Sequence, residues 1–118
     1  MKSYTELDVW KKSRELVKQV YLLTLLFPKE EIYGLTNQLR RSVISVPSNI
    51  AEGNGRQSNK ETIHFLYIAR GSLNEVETQL YLSYDLEYIS EEHLKEILEK
   101  VISCKKLLNG FINYYKKQ

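Results

Sequence analysis

The side chains able to do chemistry are few in this chain, and their spacing argues against most kinds of site. His64 and His93 are its two histidines and Cys104 its one cysteine. Glu61-Thr62-Ile63-His64 has the Glu-x-x-His spacing that puts two ligands on one helix face, but a ferritin-like centre needs that pair on two helices, and it occurs once. The histidines fall on different predicted helices, neither with a second ligand at metal spacing, so no metal is expected. Cys104 falls on an apolar helix face, where a thiol behaves as a small hydrophobe and not as an activated nucleophile. There is no Gly-x-Ser-x-Gly elbow, phosphate-cradling loop or pair of catalytic carboxylates. Gly53-Asn54-Gly55 is a weak anion nest at best, since helix termination accounts for both glycines. The expectation is a non-enzymatic protein without a cofactor.

What remains is charge. Arg40, Arg41, Arg56 and Arg70, with Lys60, have the chemistry to line a phosphate-binding surface for RNA or DNA. The same helices carry abundant glutamate, and mixed charge is also the mark of an ordinary solvated face. Tyr21, Tyr33, Tyr67, Tyr81 and Tyr84 are equally open: they suit base stacking, subunit contacts, or the rim of a core. Arg70 and Glu77 share a heptad line with Leu66, Leu73 and Leu80, and a buried charge is costly unless paired. One reading pairs Arg70 or Arg41 with Glu77 or Glu52 to fix helix register. The other turns this line toward a subunit interface or a central channel. Arg41, Asn49, Glu52, Arg70 and Glu77 are the candidate assembly or register residues.

The elements that must position these groups are helices. Glycine (5) and proline (2) are scarce, which leaves little punctuation for a many-stranded fold. A first helix is predicted from about Glu6 to Leu26, with Thr5 and Asp8 as a capping box and Trp10, Val17, Val20 and Phe27 as its apolar face, flanked by Leu16 and Leu23. Pro28 ends it. A second runs from about Glu30 to Glu52, with Leu39, Val43, Val46 and Ile50 as an apolar stripe. A polar stripe of Arg41, Ser45, Ser48 and Glu52 keeps the same spacing. Pro47 lies inside this helix, where it forgoes the bond to Val43 and predicts a kink. Gly53, Asn54 and Gly55 supply a left-handed stop.

The third helix opens at a Ser58/Glu61 capping box and continues to Tyr84 or Leu86, burying Leu66, Leu73, Leu80 and Tyr84. Its smaller-residue face, Phe65, Ala69, Ser72 and Val76, would admit a close neighbour. Ser90 caps the fourth, whose core face is Leu94, Ile97, Leu98, Val101, Cys104, Leu108, Phe111 and Ile112. Tyr114 to Gln118 reads as a frayed basic end. Short connections make successive helices antiparallel, so the fold class is all-α, an up-down-up-down four-helix bundle in one domain, residues 1–118.

The bounds agree. A chain of 118 residues buries enough surface for one core without staples. A lone cysteine and an N-terminus without an apolar segment point to a reducing cytoplasm, and no apolar run is long enough for a bilayer, so no membrane partner is expected. A net charge of +2 and a pI of 8.6 lend little support to a polyanion partner from one subunit alone. A ring of subunits would multiply any basic face.

Several segments stand together in order: Leu7-Asp8-Val9-Trp10, Phe27-Pro28, Gly34 through Ser42, Pro47-Ser48-Asn49-Ile50-Ala51-Glu52-Gly53, Phe65-Leu66 and Ala69-Arg70-Gly71-Ser72. Over nearly the whole chain they resemble the four-helix-bundle family first met as reading frames within intervening sequences of bacterial 23S rRNA genes. Ser13 and Ser42 stand where that family often has alanine. The resemblance implies a homopentameric ring. It also implies kinship with the accessory variability proteins of diversity-generating retroelements, pentamers whose basic surface engages nucleic acid and a reverse transcriptase. Two functions follow as expectations: a homo-oligomer that binds RNA or DNA, or a scaffold whose polar stripe meets a protein partner.

Overall fold

The computed structural model describes residues 3–118, and the described residues form four helices: α1 (Asp8–Thr24), α2 (Leu35–Gly53), α3 (Asn59–Asp85) and α4 (Glu91–Lys116). Short 3-10 turns at Tyr4–Glu6 and Lys29–Tyr33 lead into α1 and α2. Residue pairings set the directions. The Thr62 hydroxyl donates to the Gly53 carbonyl (2.9 Å), and the Ser72 and Ser45 hydroxyls lie 2.8 Å apart, so numbering rises along α3 as it falls along α2. Arg70 with Asn109 and Glu77 with Lys105 give α3 and α4 the same opposed sense. Leu7 to Val9 face Leu107 to Tyr114, whereas Leu22 to Leu26 face His93 to Lys100, and this closes α4 against α1 in an up-down-up-down bundle.

The α2 stripe falls where its spacing places it: Leu39, Val43, Val46 and Ile50 are each at most 1% exposed. They meet Leu16 and Val20 of α1, Leu66, Leu73, Val76 and Leu80 of α3, and Val101, Leu108 and Ile112 of α4 in one core. Each such side chain contributes roughly 1.5–3 kcal/mol by leaving water. Pro47 is carried inside an unbroken α2. Ala69, Ser72 and Val76 are buried, so the smaller-residue face of α3 does admit a close neighbour.

Several local expectations are corrected. The Thr5/Asp8 box does not form: Ser3 caps the preceding 3-10 turn and holds the Thr5 hydroxyl, leaving Leu7 as the N-cap of α1 without a side-chain bond. The buried line of α1 is Val9, Ser13, Leu16, Val20 and Thr24, and Trp10 and Val17 sit half-buried beside it. α2 starts at Leu35, not Glu30, because Glu31 turns its carboxylate onto the Leu35 N–H (3.0 Å) and acts as a cap. Of the expected stop residues only Gly55 is left-handed (φ 86°), and Asn54 is extended. Gly53 is still helical, and its role is contact: a Cβ there would meet Phe65 Cβ at 3.0 Å and the Thr62 carbonyl at 3.2 Å.

Ser58 accepts from the Glu61 N–H as expected. Tyr84 is exposed, because Ser83 takes the buried position at the end of α3. His93 completes a reciprocal box with Ser90 at the start of α4. Leu98 and Phe111 lie at the edge of the core, not inside it. The C-terminal segment does not fray at Tyr114, since α4 runs on to Lys116 with Tyr115 packed edge-on against Phe111 (5.1 Å).

Candidate nucleic-acid interface

Arg40 and Arg41 are neighbours on α2 and point to different tasks. Arg40 reaches back to α1, its Nε donating to Thr24 Oγ1 (2.9 Å) and its guanidinium lying 4.5 Å from the centre of the Tyr21 ring. It is half-buried and clamps two helices. Arg41 is exposed and makes no hydrogen bond or ion pair among the described residues. Arg56 folds onto the end of α2, where it bonds the Glu52 carbonyl and carboxylate and lies 4.6 Å from the Phe65 ring. Glu52 is therefore taken within its own turn.

The predicted charge pairing is also different. Glu77 accepts from Lys105 of α4 at 2.9 Å, with side-chain exposures of 32% and 24%, so neither Arg70 nor Arg41 is its partner. Arg70 donates to Asn109 Oδ1 (3.3 Å) and stacks 4.7 Å from the Tyr67 ring. Asn49 turns inward on its own helix, donating to the Ser45 carbonyl (2.8 Å) and hydroxyl (2.9 Å). Through the Ser45–Ser72 contact this small network joins α2 to α3.

The five candidate cations thus do not form one surface. Arg40 and Glu52 stand twelve residues apart on one helix, roughly 18 Å by helical rise, with Arg41 near one end and Arg56 near the other. Lys60 and Arg70 are linked through Tyr67, which lines a groove with Lys60 and carries Arg70 over its ring. Lys60, His64 and Tyr67 on α3 line a groove of about 560 Å³ with Tyr115 and Lys116 of α4. Lys116, in the segment expected to fray, lies 5.3 Å from the same Tyr67 ring that Arg70 covers. Antiparallel pairing about the Leu86–Ser90 connection was the signal that could have found it.

The titrating groups have structural roles. Burial raises the Cys104 thiol to about 11, the nearby Lys12 charge opposing this only in part, so at neutral pH it is a protonated core side chain. The Tyr88 hydroxyl donates to Glu31 Oε2 (2.6 Å), which, with the Leu35 N–H, holds the Glu31 carboxyl below its usual range and pushes the phenol up. Burial, reinforced by Tyr114, also raises Tyr115. No three His, Cys, Asp or Glu side chains among the described residues are grouped to hold a metal ion. Among these residues no helix is long and apolar enough to cross a membrane.

No curated protein matches the sequence. A crystal structure of a protein of unknown function from the S23 ribosomal protein family of Bacteroides thetaiotaomicron superposes with a TM-score of 0.79. It is 33% identical, and the match covers 88% of this chain and 97% of that one. The sequence model for the 23S rRNA-intervening sequence protein matches residues 5–110, and with the helical bundle agreeing across that span, the chain belongs to this family.

Proposed function

We propose that the protein is a non-enzymatic homo-oligomer, a pentamer by family resemblance, that binds RNA or DNA through cations on its outer faces. The observation that carries this reading is the distribution of neutralised and open charge. Arg56 and Lys105 are satisfied by Glu52 and Glu77, whereas Arg41, Lys60 and Arg70 have no carboxylate partner among the described residues. Repetition around a ring would multiply these open charges, which a net charge of +2 for one subunit understates. Self-association is supported by the apolar end of the bundle, where Leu22, Leu25, Leu26, Ile32, Tyr33 and Leu86 are exposed, Leu25 at 72% and Tyr33 at 92%.

The test is binding to labelled RNA and DNA as a function of salt, on protein whose native mass has been measured. Affinity should fall steeply with salt, and Arg41→Ala should weaken binding and reduce the salt slope by about 1 per subunit contact. A protein that retains neither nucleic acid nor salt-dependent binding would overturn the reading. The same apolar end favours a second reading, a scaffold for a partner protein, which predicts salt-tolerant capture of one protein and no copurifying nucleic acid.

A further inference from the structure

We propose that the groove between the first half of α3 and the end of α4 seats a single strand of nucleic acid, with phosphates on Lys60 and Lys116, which line it, and on Arg70 at its edge, and a base against the part of the Tyr67 ring left exposed. This rests on the nucleic-acid reading above and names its site and its substrate class. The first argument is charge. Two like charges, Arg70 and Lys116, approach one ring at 4.7 and 5.3 Å, and no carboxylate side chain lines the groove beside them. Four other grooves among the described residues each contain acid: Asp8 in one, Glu15, Glu96 and Glu99 in a second, Asp85 and Glu87 in a third, and Glu96 again in a fourth. The nearest carboxylate along the Arg70 line, Glu77, is two helical turns away and already bonded to Lys105. An anion is the species that relieves this arrangement.

The second argument is shape and chemistry. The groove is concave, about 560 Å³, and is walled by Ile63, His64, Tyr67 and Tyr115. A duplex keeps its bases stacked inside and would offer the groove only its convex backbone. A single strand can turn one base into it, stack the base on a tyrosine or guanidinium plane, and leave flanking phosphates to the cations. Arg70 spends one N–H on Asn109, which fixes the guanidinium plane and leaves its other donors free.

The experiment is fluorescence anisotropy with one labelled 12-mer as single-stranded RNA, single-stranded DNA and duplex, at two salt concentrations. Either single strand is expected to bind at least about tenfold tighter than the duplex. Tyr67→Leu should weaken single-strand binding by roughly 5- to 150-fold, the range of one lost base stack, and leave duplex binding nearly unchanged. Tyr67→Phe should retain the preference. Lys60→Gln, at an exposed position whose loss does not threaten the fold, should lower the single-strand salt slope by about 0.7. Equal affinity for duplex and single strand, or Tyr67→Leu and Lys60→Gln both without effect, would overturn the groove while leaving nucleic-acid binding intact. No binding to any of the three probes would overturn both.

Discussion

Arg40 shows most clearly how sequence and structure divide the work at the scale of a residue. Its chemistry marks it as a phosphate ligand, but its hydrogen bond to Thr24 and its place over Tyr21 make it a brace between α1 and α2. Arg40→Ala should therefore lower unfolding free energy by about 1–2 kcal/mol, one hydrogen bond plus one cation–π contact, as read by urea denaturation. Nothing in its local sequence separates it from Arg41, because the distinction lies in which side of α2 faces α1. Ser13 and Ser42 are legible only after folding as well: both are buried, and their hydroxyls are satisfied by the carbonyls of Val9 and Gln38 one turn back. Glu31 carries a pH dependence. Its folded carboxyl titrates below the unfolded value, so its contribution is present above that value and is lost as pH falls through the lowered one. Tyr88→Phe removes the larger of the two bonds responsible, and denaturation between pH 6 and 3 should show a shallower acid loss in the variant.

Among the elements, α2 was the most legible, because a four-residue apolar stripe with no competing face fixes which side enters the core. Its start was not legible. Acidic residues at Glu30 and Glu31 look like a first turn, and only the fold shows Glu31 bending back to cap Leu35 from outside. Helix termination is only part of the reason for the glycine at the end of α2. Gly53 ends a helix, but it is also the residue that α3 leaves least room for, since a Cβ there would crowd Phe65 and the Thr62 carbonyl. Gly53→Ala should cost about 1–3 kcal/mol through overpacking against Phe65 and Thr62. Gly110, also in a helix but with open space around it, should behave oppositely: Gly110→Ala should stabilise by about 0.5–1 kcal/mol. Thermal melts of the two variants, compared with the parent, would show shifts of opposite sign. The α3–α4 pairing of Glu77 with Lys105 escaped sequence reading because partner choice between helices depends on rotation about both axes, which spacing within one helix does not specify.

For the whole molecule, the four-helix class followed from scarce punctuation and long apolar periodicity, and the up-down-up-down order followed from short connections. Side-chain convergence across the bundle did not. Arg70 and Lys116 meet at Tyr67, and Lys60 joins Lys116 in the groove beside it, only because α3 and α4 run antiparallel from the same connection; the sequence separates Lys60 from Lys116 by almost half its length. One feature of the core also gives the molecule a means of reporting on itself. Cys104 is its single thiol, sealed at 2% exposure and with its acidity suppressed to about 11. A maleimide at neutral pH should label it far faster when the helices part than from the groove it edges, so the labelling rate becomes a clock for opening of the bundle. Slower labelling in the presence of a single-stranded oligonucleotide would give the energy of that binding without any probe attached to the ligand, through the protection a bound state confers on the folded one.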